Sequence, residues 1–166
     1  MARVLVMMGS DSDLPKMRRA IELLSEFGIE VDVAVASAHR TPERVVELAR
    51  AADDNGTCAI IAGAGMAAAL PGVVAAHTTL PVIGVPLSGS ALGGTDALYS
   101  IVQMPPGIPV ATVGIDAAAN AGLLAAQIAA VADRSIVEAL KQHRREMAEQ
   151  VEAKAQKVRE ELLRAR

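Results

Sequence analysis

Aromatic residues are almost missing from this chain: one Phe, one Tyr and no Trp among 166 residues. Modules that read single-stranded nucleic acid stack bases on aromatic side chains, and here there are none to build such a platform. Positive charge is not in excess either. Sixteen Lys and Arg stand against nineteen Asp and Glu, a net charge of −3, so no global field draws in a polyanion. A small anion needs only a few local donors and stays within reach. Cysteine is limited to Cys58, which excludes an internal disulfide framework and a cysteine zinc cluster. Its place in the apolar run Cys58-Ala59-Ile60-Ile61 predicts a buried structural thiol. No apolar run reaches the ~18 residues of a membrane span. The start, Met1 to Val6, is soon followed by Gly9-Ser10-Asp11 and is too short for a secretory signal. A soluble, cytoplasmic protein is expected.

What the chain does have is small apolar residues. Hydrophobic residues make up 52%, enough for a core, and about a fifth of all residues are alanine, which suits close packing of helices on a sheet. Short β-branched runs alternate with Ala-rich amphipathic segments. Strands are expected at Val4–Met8, Val31–Ala36, Cys58–Ala62, Val82–Val85 and Val110–Val113. Between them, a helix over Asp13–Phe27 has Pro15 in its first turn and Gly28 at its end. A second, capped by Thr41, runs from Pro42 to about Asp54, where Asn55-Gly56 turns the chain. Gly63-Ala64-Gly65 is expected to lead straight into an Ala-rich helix, and another helix spans Thr95–Val102. Continuous apolar strands separated by helices predict a parallel sheet covered on both faces. The fold class is therefore α/β: a doubly wound, flavodoxin-like three-layer α/β/α sandwich with about five strands and a long C-terminal helix.

Ala117–Ala132 is apolar nearly all round and predicts a buried helix. Residues 1–132 form the α/β domain, the part expected to carry any active site, and 133–166 a charged helical extension. Within it Leu140, Met147, Val151, Val158 and Leu162 are spaced 7, 4, 7 and 4, a stripe of heptad character. A helix of that length spans roughly 45 Å, more than a domain of this size. The stripe is expected to be buried on another copy of the chain.

In an open parallel sheet, ligands bind at the carboxyl ends of the strands, near the reversal of strand order. The loop after strand one, Gly9-Ser10-Asp11-Ser12-Asp13, combines hydroxyls with N–H groups at a helix N-terminus, the makings of a phosphate cradle. The same residues are also ordinary caps. Its two Asp suggest that a sugar hydroxyl is bound as well. After strand two, Ser37-Ala38-His39-Arg40-Thr41-Pro42 sets a proton carrier active near neutral pH beside an anion clamp. After strand three comes Ala62-Gly63-Ala64-Gly65-Met66-Ala67-Ala68-Ala69-Leu70-Pro71-Gly72. Its glycines admit a ligand close to the backbone. It follows the wrong strand for a dinucleotide fingerprint, and Ala68 replaces the last Gly. His77 reads as a helix C-terminal cap and His143 as part of a solvated charged face. Three dispersed His with no ligand-spaced pair predict no metal.

Taken together, Met8 to Asp13, Ser37 to Pro42, Ala62 to Gly65 and Ser100-Ile101-Val102-Gln103-Met104-Pro105 resemble the 5-(carboxyamino)imidazole ribonucleotide mutase family of de novo purine synthesis. The resemblance covers roughly residues 3 to 132, in order and with the family's spacing. It implies transfer of a carboxylate from the exocyclic nitrogen of an aminoimidazole ribonucleotide to ring carbon 4, without ATP, metal or organic cofactor. It implies His39 as proton carrier, and Ser10, Asp13 and Arg40, with Ser12, Ser37 and Ala38, as binding residues for the ribonucleotide. Ala64 and Gly65 would hold the migrating carboxylate or carbon dioxide. It also implies a homo-octamer. The chain departs from the family at Met66, commonly Gly, and Ala69, commonly His, and His77 lies over two helical turns from Ala69. Two rivals stand beside the mutase. One is a carboxylase that uses free carbon dioxide and the unsubstituted ribonucleotide. The other is a flavodoxin-like binding protein that has lost catalysis, a reading favoured by Ala69 and opposed by the intact Ser10, Asp13, His39 and Arg40. No nucleic-acid or membrane partner is expected.

Overall fold

The computed structural model describes residues 2–164, which alternate strand and helix as their apolar pattern expects. Strand β1 (Arg3–Met8) enters a 3₁₀ turn at Asp11–Asp13 and then α1 (Leu14–Glu26). Next come β2 (Glu30–Val35), α2 (Pro42–Asp54), β3 (Thr57–Gly65) and α3 (Leu70–Ala75). The chain continues with β4 (Val82–Leu87), α4 (Thr95–Val102), β5 (Ala111–Thr112), α5 (Ala118–Ala130) and α6 (Arg134–Arg164). All strand pairs are parallel, in the order β2-β1-β3-β4-β5. The order reverses between β1 and β3, so the loops leaving those two strands flank the crevice where open α/β sheets take ligands.

Period-two alternation divides the core in two. Val4, Val6 and Met8 of β1, Ala59 and Ile61 of β3, and Ile83, Val85 and Leu87 of β4 face one side, against α1 and α5. Leu5, Met7, Ile60, Ala62 and Val82 face the other, against α2, α3 and α4. Successive side chains of a strand point to opposite faces, so an unbroken apolar run serves both layers at once. The layers pack closely because they are built of Ala and Gly. A Cβ on Gly122 of α5 would lie 3.1 Å from both the Cα and the carbonyl oxygen of Ala20 in α1, backbone atoms that have no rotamer to escape into. Gly122→Val is expected to destabilise the fold by about 1–3 kcal/mol through overpacking, seen as a lower urea midpoint at unchanged slope.

Several details differ from the sequence expectation. β3 runs three residues beyond Ala62, because Ala64 and Gly65 stay paired with Pro86 and Leu87 of β4. Gly63 is small for a packing reason: a Cβ there would meet the Met17 sulfur at 2.4 Å. The helix expected directly after Gly65 begins only at Leu70, and β5 shrinks to two residues. Thr41 stands at the N-cap of α2 without capping it; its hydroxyl accepts the Ser37 N–H at 2.9 Å. Cys58 is half-buried rather than buried, and desolvation raises its thiol pKa. His143 is not simply solvated. Its ring meets Phe27 edge-on, with centroids 5.6 Å apart.

The division expected at residue 132 falls between α5 and α6, yet α6 starts inside the core. Ile136 is buried and Leu140 packs against the same cluster. Beyond that point Met147, Val151, Val158 and Leu162 are 50–64% exposed. Among the described residues no helix is long and apolar enough to cross a membrane.

Candidate active site

The carboxyl ends of β1, β2, β3 and β4 open into one cavity of about 810 Å³. Every residue the sequence assigned to the site lines it: Ser10, Ser12 and Asp13 after β1, Ser37, Ala38, His39 and Arg40 after β2, and Ala64 and Gly65 at the end of β3. Three segments remote in sequence meet there because the sheet sets their strands side by side.

The first loop is a closed hydrogen-bond network. The Ser10 N–H donates to the Asp13 carboxylate at 3.1 Å, and the Ser10 hydroxyl accepts the Ser12 N–H at 3.3 Å. That reciprocal capping box fixes the 3₁₀ turn. The Ser10, Ser12 and Asp13 amides are thus engaged. The Ser12 and Ser10 hydroxyl protons run in a chain to the Asp11 carboxylate, so the loop offers the cavity hydroxyl oxygens and a carboxylate rather than a ring of free N–H donors. Partial burial raises the Asp13 pKa, and the Ser10 and Gly9 amides and the Lys16 charge only partly offset this. A carboxylate beside hydroxyls suits a ribose better than a phosphate.

The second loop is a tight turn. The Thr41 N–H donates to the Ser37 carbonyl at 2.8 Å, and the Arg40 N–H donates to the Ser37 hydroxyl at 3.3 Å. This holds His39 and Arg40 at the rim with exposed side chains. The Arg40 guanidinium donates to the Gly9 carbonyl at 3.2 Å, tying the second loop to the first. Among the described residues no side chain hydrogen-bonds the His39 imidazole, which leaves both ring nitrogens for a ligand.

The third segment carries strain. Met66 and Ala68 adopt positive φ angles of 56° and 39°, a region that costs a residue with a Cβ roughly 1–2 kcal/mol. Backbone held in such conformations clusters at ligand sites. Met66 is 65% exposed, and Ala67, Ala68 and Ala69 extend the apolar wall of the cavity.

Two functional candidates escaped the sequence reading. Lys16, in the first turn of α1, lines the cavity, as does Ser88 after β4. Lys16 stands three residues beyond Asp13 on one helix face, and that spacing could have found it. Ser88 would have emerged by treating the end of strand four like the other three. No group of three or more His, Cys, Asp or Glu placed to hold a metal ion occurs among the described residues.

Similar proteins agree on where this architecture belongs. A model of the AIR carboxylase family matches residues 3–150. A Thermotoga maritima protein named N5-carboxyaminoimidazole ribonucleotide mutase is 53% identical over 158 residues, 95% of this chain and 92% of its own length. The phosphoribosylaminoimidazole carboxylase of Schizosaccharomyces pombe is 53% identical over 92% of this chain, a match that takes up 28% of that larger protein. The crystal structure of Treponema denticola PurE superposes with a TM-score of 0.85 at 31% identity, over 95% of this chain and 98% of that one.

Proposed function

Because the chain belongs to the AIR carboxylase family, we infer that it is an N5-carboxyaminoimidazole ribonucleotide mutase, an isomerase of purine biosynthesis like its relative from Thermotoga maritima. The observation that carries the site assignment is the meeting of His39, Arg40, Ser10, Asp13 and the Ala64-Gly65 segment in one cavity.

The chemistry asks for few groups. Breaking the bond between the exocyclic nitrogen and its carboxylate releases carbon dioxide and leaves an electron pair on nitrogen, which takes a proton from the His39 imidazolium. The neutral aminoimidazole is nucleophilic at carbon 4. Attack on carbon dioxide forms the new C–C bond and a cationic ring carbon, whose proton returns to the His39 imidazole. Proton and carboxylate are both conserved, so no external acid, base or co-reactant enters. One imidazole serves both steps because the same ring that gives a proton in the first can take one back in the second. Ala64, Gly65 and the alanines after them give carbon dioxide an apolar wall with little water to capture it, which makes the recombination effectively unimolecular.

The remaining residues bind. Asp13 accepts ribose hydroxyls, Ser10, Ser12 and Ser37 offer hydroxyls, and Arg40 clamps the phosphate; Ala38 leaves room beside His39. A planar guanidinium binds phosphate through two parallel N–H donors, which an ammonium does not reproduce. Arg40→Lys is expected to weaken ribonucleotide binding by about 1–3 kcal/mol, measured by calorimetry with aminoimidazole ribonucleotide. Equal affinity would remove Arg40 from the phosphate site. The reading as a whole is tested by assaying carboxyaminoimidazole ribonucleotide against the unsubstituted ribonucleotide plus bicarbonate. Turnover of the first is the mutase result, and turnover of the second alone would make the chain a direct carboxylase.

Assembly as a homo-octamer belongs to the same proposal. The exposed stripe of α6 supports it, as do Val33 and Val35, 50% and 55% exposed on the edge strand β2, since bare apolar edges are normally covered. Placement in the cytoplasm follows from the substrate: a phosphorylated ribonucleotide does not cross a bilayer unaided.

A further inference from the structure

Lys16 has no part in the proton and carboxylate transfers just described, yet it is the best-anchored cation of the cavity. Its ammonium donates to the Ser88 hydroxyl at 2.6 Å and to the Ser88 carbonyl, and it lies 3.4 Å from the Asp116 carboxylate. Asp116 in turn accepts the Ser88 N–H at 2.9 Å and the Ser88 hydroxyl proton. Asp116 holds a positive φ of 55°, a strained backbone that this cluster helps keep in place. Three segments are joined here: the first turn of α1, the loop after β4 and the turn between β5 and α5. That loop contains Gly89, Gly93 and Gly94, all at positive φ, and Ser88 and Gly89 line the cavity.

We propose that Lys16 is a positioning residue of the site: clamped by Ser88 and Asp116, it fixes the loop after β4 as a cavity wall and sets its charge one helical turn from the Asp13 carboxylate. This rests on the mutase reading, in which Asp13 must be ionised to accept ribose hydroxyls. Burial works against that ionised form, and the Lys16 charge works for it. Burial also acts against the Asp116 carboxylate, but its bonds from Ser88 and the Lys16 ammonium hold its pKa below the ordinary value. The ionisable groups around this wall are Asp11, Asp13 and Lys16 at the start of α1, His39 and Arg40 from the loop after β2, and Asp116 from the turn before α5. Of these, Lys16 and Asp116 are the two that hold the loop after β4, both through Ser88.

The sign of its influence gives the test. Lys16→Met removes the positive charge, so Asp13 protonates more readily and the acid limb of kcat/KM moves to higher pH. Asp116→Asn removes the counter-charge and leaves Lys16 facing Asp13 unopposed, so the limb moves to lower pH. Each shift is expected to be about half a pH unit, the size of effect one charge exerts through a partly solvated site. The KM of Lys16→Met should rise about threefold at a pH well down the acid limb and much less at a pH on the plateau, with kcat little changed, and Lys16→Arg should restore the wild-type profile. The experiment is a pH series of steady-state kinetics on the full-length wild type and the three variants, with carboxyaminoimidazole ribonucleotide as substrate. Should Lys16→Met fail to fold, the downward shift of Asp116→Asn carries the result alone. Wild-type turnover with unmoved acid limbs, or losses equal at both pH values, overturns the positioning role and leaves the mutase standing. A wild type that does not turn over the substrate overturns the mutase reading, and this inference with it.

Discussion

His39→Asn is expected to fold as the wild type does and to lose at least about 100-fold in kcat, the usual weight of a positioned general acid–base group. The variant is nearly isosteric and can still hydrogen-bond, but it cannot carry a proton near neutral pH. His39 is exposed at the rim, so no packing is lost and the melting temperature should stay within a degree or two. The loss should fall on kcat rather than KM, since the proton transfers belong to the transition state and not to ground-state binding. His77 and His143 are absent from the cavity lining and offer no substitute. Activity within a few-fold of wild type would remove His39 from the mechanism.

The second large effect concerns assembly. Truncation after Arg145 is expected to leave the αβα core folded and to break or weaken the oligomer. The cut is placed there because Ile136 and Leu140 belong to the core and His143 packs on Phe27, whereas Met147, Val151, Val158 and Leu162 stand exposed. Burying each such side chain contributes about 1.5–3 kcal/mol, so four of them on a neighbour amount to a substantial interface. An isolated helix of this charge content is marginal in water, and packing on another copy would support an α6 that runs to Arg164. Sedimentation should show an octamer for the full chain and a smaller or less heat-stable species for the truncated one. A full-length monomer would contradict the assembly, and an unchanged truncated oligomer would make the tail a solvated appendage.

Where local chemistry decides, the sequence was legible. The bounds of α2 and α4 are as read, Pro42–Asp54 and Thr95–Val102, because a proline start, an Asn-Gly turn and a Gly-Gly entry mark them within a few residues. The cavity was legible for a similar reason: polar motifs directly after buried strands have few places to go except the carboxyl edge of the sheet. What was hidden depends on partners distant in sequence. Gly63-Ala64-Gly65 has the composition of a loop, and only pairing with Pro86 and Leu87 keeps part of it extended. Thr41 has the identity of a cap, but Ser37 claims its hydroxyl. Lys16 looks like any helix-surface lysine until β4 and β5 bring Ser88 and Asp116 to it. His143 sits among charges in sequence and against Phe27 in space.

On the proposed mechanism one cavity breaks the carbon–nitrogen bond and makes the carbon–carbon bond without letting the freed carbon dioxide escape to solvent. Carboxyaminoimidazole ribonucleotide labelled with ¹³C in its carboxylate, turned over in excess unlabelled bicarbonate, tests this directly by mass spectrometry of the product. The expected product keeps the label at its ring carboxylate through the first turnovers. A product carrying unlabelled carboxylate from the start would show that carbon dioxide is taken from solution, and would contradict the mechanism.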